Sequence, residues 1–371
     1  MALPKILFYT HGLVDGGAER LWSTLASAFK RRGYDVVFVQ DFDATDNRAN
    51  LDAAIPLITL GKGHFRAVRR LAEVLGREKP EIAISAVGGS NTKLLAARAL
   101  ARSPAQIIIT YHGFEEWKTG WLSLFTYMSL PILSRLASRT IAVSDGLREV
   151  LVRRWGAASG RTVTIHNPVF FPEHPPVPTA AELAARPNVI LAVGRMVPQK
   201  DYLTLIRAFA RLKRLDARLI ILGKGPERGK IEAEIARLGI GSRVSMPGYS
   251  VEPWRHYEQA KIFAISSRSE PFGNVVVEAL AHGLPVVATA CDGPLEILRH
   301  GDHGKIVPMG DDVQLAGALA ATLDRPGDPT LRIERARDFS FAVRVPAYEQ
   351  LFQEVLAEAR SIPADGRLAA P

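Results

Sequence analysis

Only one cysteine, Cys291, occurs in the 371 residues, which excludes a disulfide-stapled scaffold and a cysteine-rich zinc module. It fits a reducing, cytoplasmic setting. Long apolar runs are missing too. The longest stretch without a charged residue lies between Lys118 and Arg135, has 16 residues and contains Pro131. That is short of the roughly 20 apolar residues that span a bilayer. The apolar opening Ile6-Leu7-Phe8-Tyr9 has no basic stretch and long apolar core of a leader, and reads as a first strand. Compositional extremes are absent: 47% hydrophobic and 23% charged residues leave no room for a disordered, collagenous or coiled-coil chain. No nucleic-acid module or dense basic run is present, so a nucleic-acid partner is not expected.

What is present begins with an uneven charge. Of the formal +9, residues 1–170 carry +8, from 22 lysines and arginines against 14 acids, and residues 171–371 carry +1. A partner that favours basic surface should meet the first half. At roughly 150 residues per domain, the length suggests two. Short β-branched runs alternate with amphipathic stretches: Lys5–Tyr9, helical Gly17–Arg31, Asp35–Gln40, then Pro56–Leu60 and helical Phe65–Glu78. The pattern continues to Thr162–His166, and such alternation implies a parallel sheet covered on both faces. Six prolines from Pro168 to Pro187 read as an extended linker. Beyond it the alternation restarts with Asn188–Val193 and runs on to Asp311–Leu323, then Ala347–Ala359 opened by Pro346. The expected architecture is two doubly wound α/β domains with ligands outside the carboxyl ends of the strands, in a cleft between the two.

Three segments carry chemistry. Glu270-Pro271-Phe272-Gly273-Asn274-Val275-Val276-Val277-Glu278 follows a buried strand and opens a helix. Two carboxylates around a turn rich in amides suit a polyhydroxylated ligand that also bears phosphate, since a helix start favours anions. Spacing alone serves a solvated loop equally well. Gly194-Arg195 after a strand, with Lys200-Asp201 entering the next helix, puts two cations where a diphosphate would lie; a solvated loop has the same pattern. His11-Gly12-Leu13-Val14-Asp15-Gly16-Gly17 is a glycine turn that does not satisfy G-x-G-x-x-G. Asp41 stands at the offset of a ribose-binding acid, which keeps a nicotinamide dehydrogenase open. Asp41-Phe42-Asp43 otherwise reads as a solvated loop with no metal implied. Gly223-Lys224-Gly225-Pro226 fails the Walker pattern and reads as a turn whose backbone approaches a ligand. His112 ends a buried strand, where a lone histidine is more often structural than catalytic.

Together these residues resemble the family 4 glycosyltransferases: Gly16-Gly17-Ala18-Glu19, His112, Ser144-Asp145, Asn167, Gly194-Arg195 with Lys200-Asp201, Gly223-x-Gly225-Pro226, and Glu270 through Glu278. The resemblance implies the GT-B fold, with an N-terminal acceptor domain over 1–170, a donor domain over 171–345, and a helix at 346–360 packing back on the first. It implies retaining transfer from a nucleotide-diphosphate sugar, without a bound metal or other cofactor. Arg195 and Lys200 would then neutralise the leaving diphosphate, with Gly194 and Gly223 in the same turns. Glu278 would hold the ribose, and Glu270 with the backbone of Phe272, Gly273, Asn274 and Val275 the donor sugar. Gly16 and Gly17 would offer amides to the phosphates, Asn167 would join the donor site, His112 would touch the sugar, and the base would lie by Gly248-Tyr249. Where many relatives have Asn-Gly-Val, this chain has His166-Asn167-Pro168-Val169. That form resembles members using UDP-N-acetylhexosamine; UDP-hexose and GDP-mannose stay open, as does a non-catalytic sugar-nucleotide sensor.

The acceptor is expected to be a glycan or lipid-linked glycan used in surface polysaccharide or glycolipid assembly. Trp117–Leu136 interleaves Trp117, Trp121, Phe125, Tyr127 and Met128 with Lys118 and Arg135, and Arg66, Arg69 and Arg70 lie nearby in sequence. Basic and aromatic residues together suggest peripheral contact with the inner, anionic face of the cytoplasmic membrane. Trp121–Leu136 also fits a buried helix kinked at Pro131.

Overall fold

The computed structural model describes residues 3–14, 17–44, 46–170, 177–250 and 252–361. It divides into two units: the chain up to Pro168 with the segment from Phe341 onward, and Val169–Ser340. The boundaries therefore fall near 168 and 340, against the 170 and 345 read from sequence.

In the first unit β1 (Lys5–Thr10) leads to α1 (Gly17–Arg31), β2 (Asp35–Gln40) and the short β3 (Leu57–Thr59). Then come α2 (His64–Glu78), β4 (Ile82–Ala86), α3 (Gly88–Ala101) and β5 (Gln106–Tyr111). Two short helices, α4 (Trp121–Met128) and α5 (Leu130–Leu136), precede β6 (Arg139–Ala142), α6 (Asp145–Arg153) and β7 (Thr162–Thr164). The seven strands run parallel in the order β3-β2-β1-β4-β5-β6-β7. Strands covered on both faces read as continuous apolar runs, and Ile6–Tyr9 and Ile107–Ile109 are buried throughout. The direction of winding reverses between β1 and β4, the place where such sheets open a crevice.

In the second unit α7 (Ala180–Ala185) precedes β8 (Val189–Val193), α8 (Tyr202–Ala210), β9 (Arg218–Leu222), α9 (Arg228–Arg237) and β10 (Val244–Gly248). It continues with α10 (Trp254–Gln259), β11 (Ile262–Ile265), α11 (Asn274–Ala281), β12 (Val286–Thr289) and α12 (Asp292–Ile297). It closes with β13 (Lys305–Val307), α13 (Asp312–Asp324) and α14 (Thr330–Arg337). Its six parallel strands lie in the order β10-β9-β8-β11-β12-β13, so the reversal falls between β8 and β11.

The last helix, α15 (Phe341–Ser361), returns to the first unit. Val345, Tyr348, Phe352 and Val355 enter that core, and Phe352 stacks on Phe29 with centroids 5.3 Å apart. The helix starts at Phe341, not at Ala347, with Pro346 inside it. A proline so near the amino end removes one donor, a loss of about 3 kcal/mol or more that burial of the four side chains outweighs.

Three other expectations need correcting. The stretch taken as an extended linker holds α7, whose first turn is fixed by a reciprocal cap between Thr179 and Glu182; residues 171–176 lie outside the described residues. Trp121–Leu136 is not one helix kinked at Pro131 but two, broken at Ser129, with Pro131 in the first turn of α5 where proline is tolerated. Asp41 is no solvated loop residue: it is buried against Lys93 and accepts a 2.6 Å hydrogen bond from the Tyr9 hydroxyl. With both oxygens engaged it has little capacity left for a ribose, against the dehydrogenase reading.

Candidate functional site

The richest constellation lies at the carboxyl ends of β8 and β11, where the second sheet reverses. The loop after β8 passes Gly194 and Arg195 and ends in Lys200 and Asp201. Gly194 has φ +154, and a Cβ there would press on the Tyr202 hydroxyl at 3.1 Å and the Lys200 side chain at 3.4 Å. Glycine thus leaves the lane through which Lys200 extends. Its ammonium forms a half-buried ion pair with Glu270, from the loop after β11, in very close contact.

Backbone and side-chain hydrogen bonds hold the two loops in register. The Ser266 hydroxyl donates to the Lys200 carbonyl at 2.9 Å, and the Arg268 N–H donates to the Gln199 carbonyl at 2.8 Å. The Arg268 guanidinium also donates to the buried Asp201 carboxylate at 2.8 Å. From the first turn of α12, just after β12, the Gly293 N–H donates to the Glu270 carbonyl at 2.9 Å. Gly293 packs so tightly that any Cβ would overlap the Phe272 carbonyl. The pair is therefore set on three strand ends rather than on one mobile loop.

The β9 turn closes the other side. Gly223 and Gly225, at φ +138 and +159, leave no space for a Cβ, which would overlap the carbonyls of Gly194 and Met196. Steric demand for glycine here comes from loop-on-loop packing, whereas a ligand's approach was the expected reason. The Met196 N–H donates to the Lys224 carbonyl at 2.9 Å, and the Gly223 N–H to the Gly248 carbonyl at 2.8 Å. Tyr249 is exposed beside this turn, with the Lys224 ammonium 5.5 Å from its ring centroid.

Gly273, at φ +102, sits just before α11, and Asn274 and Val275 form its first turn. Their backbone lies at the helix end that favours anions. Phe272 enters the site by its main chain alone: its ring is buried, edge-on to Phe339 at 5.4 Å. Glu278, on the second turn of α11, accepts a 2.8 Å hydrogen bond on one carboxylate oxygen from the Tyr257 hydroxyl. Tyr257 is itself buried, stacked on His282 at 5.1 Å, and His282 reaches the Glu278 carbonyl at 2.8 Å. Burial holds the His282 pKa below its usual value. No sequence signal marked Tyr257, Arg268 or Gly293; only the fold brings them to the motif.

Cys291 lies under the same loops. Burial, followed by the charge of Glu270, pushes its thiol up to about 12. Arg195 is exposed on the β8 loop, apart from the buried network.

The remaining expected residues belong to the first unit. His112 follows β5, its Nε2 2.9 Å from the Thr110 hydroxyl and its ring edge-on to Trp22 at 5.6 Å. Burial pulls its pKa down to about 4, so it is a neutral imidazole at pH 7. Gly17 is exposed at the start of α1, with open space where a Cβ would stand. Gly16 lies outside the described residues. Asn167 is buried after β7.

Comparison with known proteins accounts for both units. Residues 15–170 match the family model for Glycosyltransferase Family 4, and residues 178–339 the model for Glycosyl transferases group 1. The chain is 27% identical over 359 residues to the lipopolysaccharide core biosynthesis glycosyltransferase LpsE of Rhizobium meliloti, covering 91% of this chain and 96% of that protein. It is 28% identical, over 87% of this chain and 91% of the other, to a Campylobacter jejuni protein. That protein is the N-acetylgalactosamine-N,N'-diacetylbacillosaminyl-diphospho-undecaprenol 4-alpha-N-acetylgalactosaminyltransferase. Among solved structures, Anabaena Alr3699/HepE in complex with UDP is similar with TM-score 0.80 at 21% identity, over 95% of this chain and 100% of that one. The apo form of the lipopolysaccharide outer core galactosyltransferase WaaB is similar with TM-score 0.75 at 20% identity, over 94% and 99%. The fold is GT-B, two parallel-sheet α/β domains.

Proposed function

The chain belongs to the family 4, group 1 glycosyltransferases, and we propose that it carries a sugar from a nucleotide-diphosphate donor to a glycan or lipid-linked acceptor with retention at the anomeric carbon. The observation that carries this reading is the Lys200–Glu270 pair at the β8/β11 reversal, beside the amino end of α11. A cation, a carboxylate and a helix start suit a ligand that is phosphate at one end and polyhydroxylated at the other.

Departure of the nucleotide leaves negative charge on phosphate and positive charge on the sugar. Lys200 and Arg195 stabilise the first, and a donor placed for developing charge is worth about 3 kcal/mol of barrier. With this cationic charge supplied by the protein, the reaction needs no bound metal. The bond from the anomeric carbon to phosphate oxygen breaks as the acceptor oxygen bonds on the same face, its proton passing to the leaving phosphate. Glu270, held by Lys200, serves as a sugar-hydroxyl acceptor rather than as a nucleophile. Glu278, which accepts from the Tyr257 hydroxyl on one oxygen, serves as the ribose acceptor.

UDP-N-acetylhexosamine or UDP-hexose is the donor class. UDP bound to Anabaena HepE supports the base, and the Campylobacter relative's name supports both the amino sugar and a diphospho-polyprenol acceptor. The role printed for LpsE supports surface-polysaccharide assembly. A cytoplasmic setting agrees with the buried, unpaired thiol of Cys291.

Nucleotide release and product analysis with UDP-N-acetylhexosamines, UDP-hexoses and GDP-mannose test the reading. Release from a uridine donor, with an axially linked product by NMR, is expected. Release from GDP-mannose alone would replace the donor, and an inverted product would remove retention. Binding without turnover on any acceptor would make the protein a sugar-nucleotide sensor. Fluorescence titration with NADH distinguishes a dehydrogenase.

A further inference from the structure

The first unit turns an apolar stripe outward. On α4 and α5, Trp121, Leu124, Phe125, Met128, Ile132 and Leu136 are all exposed, Trp121 at 70% and Met128 at 69%. On α4 the first four recur at the three- and four-residue spacing of one helical face, and Ile132 and Leu136 stand four apart on α5. The opposite side of α4 is the packed one. Tyr127 is buried, its hydroxyl donating to the Gly113 carbonyl at 2.9 Å, and Thr126 donates to the Gly88 carbonyl at 3.0 Å. The helix therefore has its packing face satisfied and a second apolar face left over. Contiguous exposed apolar side chains of this size mark an interaction surface.

A distant segment completes it. The amino end of α2 lies against the amino end of α4, with the His64 and Trp121 rings edge to face at 5.9 Å. Phe65 beside His64 is 94% exposed. Residues 61–70 carry Lys62, Arg66, Arg69 and Arg70 and no acid; all four are exposed, with Arg69 3.2 Å from Glu73 one turn on and Arg70 donating to the Leu60 carbonyl at 2.6 Å. An apolar stripe bordered by cations is the composition that sinks into the headgroup layer of an anionic bilayer. A second copy of the chain fits less well, because a two-fold contact through this surface would set the cations against themselves.

We propose that the exposed α4–α5 stripe and the cationic start of α2 form one docking surface for anionic membrane. Among the described residues no helix is long and apolar enough to cross a membrane, so contact through this surface is peripheral. It would hold the first unit at the lipid where a diphospho-polyprenol acceptor resides, and in that respect it rests on the lipid-linked acceptor reading.

Flotation of the full chain tests it without turnover, so failure of docking and failure of the acceptor reading are separate results. Wild type should float with phosphatidylglycerol–phosphatidylcholine vesicles, less at high salt, and stay down with phosphatidylcholine alone. A Lys62→Gln, Arg66→Gln, Arg69→Gln variant should partition roughly a hundredfold more weakly at low ionic strength, from the worth of a basic side chain at an anionic surface. A Trp121→Ser, Phe125→Ser, Met128→Ser variant should lose flotation while keeping the wild-type melting curve, since these side chains are exposed. Wild type that ignores both vesicle types, or a triple variant that floats like wild type, would overturn the proposal. So would a vesicle-free dimer of wild type, seen by sedimentation, that the apolar variant abolishes.

Discussion

Tyr257→Phe tests the ribose role proposed for Glu278 apart from the rest of the site. The substitution keeps the buried ring, its 5.1 Å stack on His282 and its 5.8 Å contact with Phe263, and removes only the hydroxyl 2.8 Å from the carboxylate. A hydrogen bond to a charged group is worth about 1.5–3 kcal/mol when both partners are shielded. Glu278 is half-buried and water can replace the lost donor in part, so the stability cost should fall at or below the lower end. The effect on binding has a different origin. Without the Tyr257 hydroxyl, Glu278 is less well ordered before the ligand arrives, and ordering one flexible side chain costs about 0.5–1.5 kcal/mol. That predicts a Kd for the nucleoside diphosphate about two- to twelvefold weaker. Calorimetry with UDP, and with GDP as the other candidate, reads this directly, because the ribose is common to both. The discriminating arm uses the 2′,3′-dideoxy nucleotide, against which wild type and Tyr257→Phe should bind alike. An equal loss against the dideoxy ligand, or no loss against UDP or GDP, would refute the ribose assignment and leave Tyr257 a packing residue.

Arg195→Ala should lower turnover by about a hundredfold or more while leaving the melting temperature unchanged, because Arg195 is exposed on its loop; normal kinetics would contradict a leaving-group role. Lys200→Ala should lose a similar factor but also melt earlier, since it strips the partner from half-buried Glu270, and Lys200→Ala/Glu270→Gln should recover much of the stability and none of the activity. Gly223→Ala and Gly293→Ala should cost several kcal/mol or prevent folding, given the overlap of a Cβ with the Gly194 and Phe272 carbonyls; soluble variants with wild-type melting would show those loops move apart. His112 has a pKa near 4 in the folded chain through burial, below the usual 6.5. Its unfolded form therefore binds the proton first, and its share of stability is whole above pH 6.5 and is lost as pH falls toward 4. Denaturation midpoints should show that slope weakened in His112→Gln, and an unchanged slope would reject it. The thiol of Cys291, buried and raised to about 12, should resist a thiol reagent at pH 8 until denaturant opens the second unit; fast native labelling would contradict the packing described.

How far the fold was legible follows from the reach of each signal. Gly17–Arg31 and Asp35–Gln40 match the structure residue for residue, because period and turn residues agree within a few positions. α7 was hidden among prolines that signal extension, although Thr179 and Glu182 stood at the spacing of a reciprocal cap. Pro346 concealed the first turn of α15, because a proline rule of thumb ignores the tertiary burial of Val345 and Tyr348 behind it. For α4 the spacing defined an apolar face and could not say whether the face was covered; Tyr127, on another side of the helix, turned out to be the buried residue.

The site shows a sharper division. Lys200 and Glu270 are 70 positions apart in the chain, and each alone is an ordinary loop charge. Their pairing is a property of strand order, since β8 and β11 become neighbours only when the chain crosses over to build the other half of the sheet. Resemblance to a family could name both residues, but not that the cation is already committed to the carboxylate. That commitment has a consequence for binding. A diphosphate entering beside Lys200 competes with Glu270 for the same ammonium, so donor sugars able to hydrogen-bond Glu270 should be favoured over the bare nucleotide. Donor analogues lacking successive sugar hydroxyls, measured against wild type and Glu270→Gln, test the coupling. In wild type one deoxygenation should weaken binding, and in Glu270→Gln that analogue and the parent sugar should differ less. If every deoxy analogue loses the same factor in both proteins, Glu270 holds Lys200 in place and does not read the sugar.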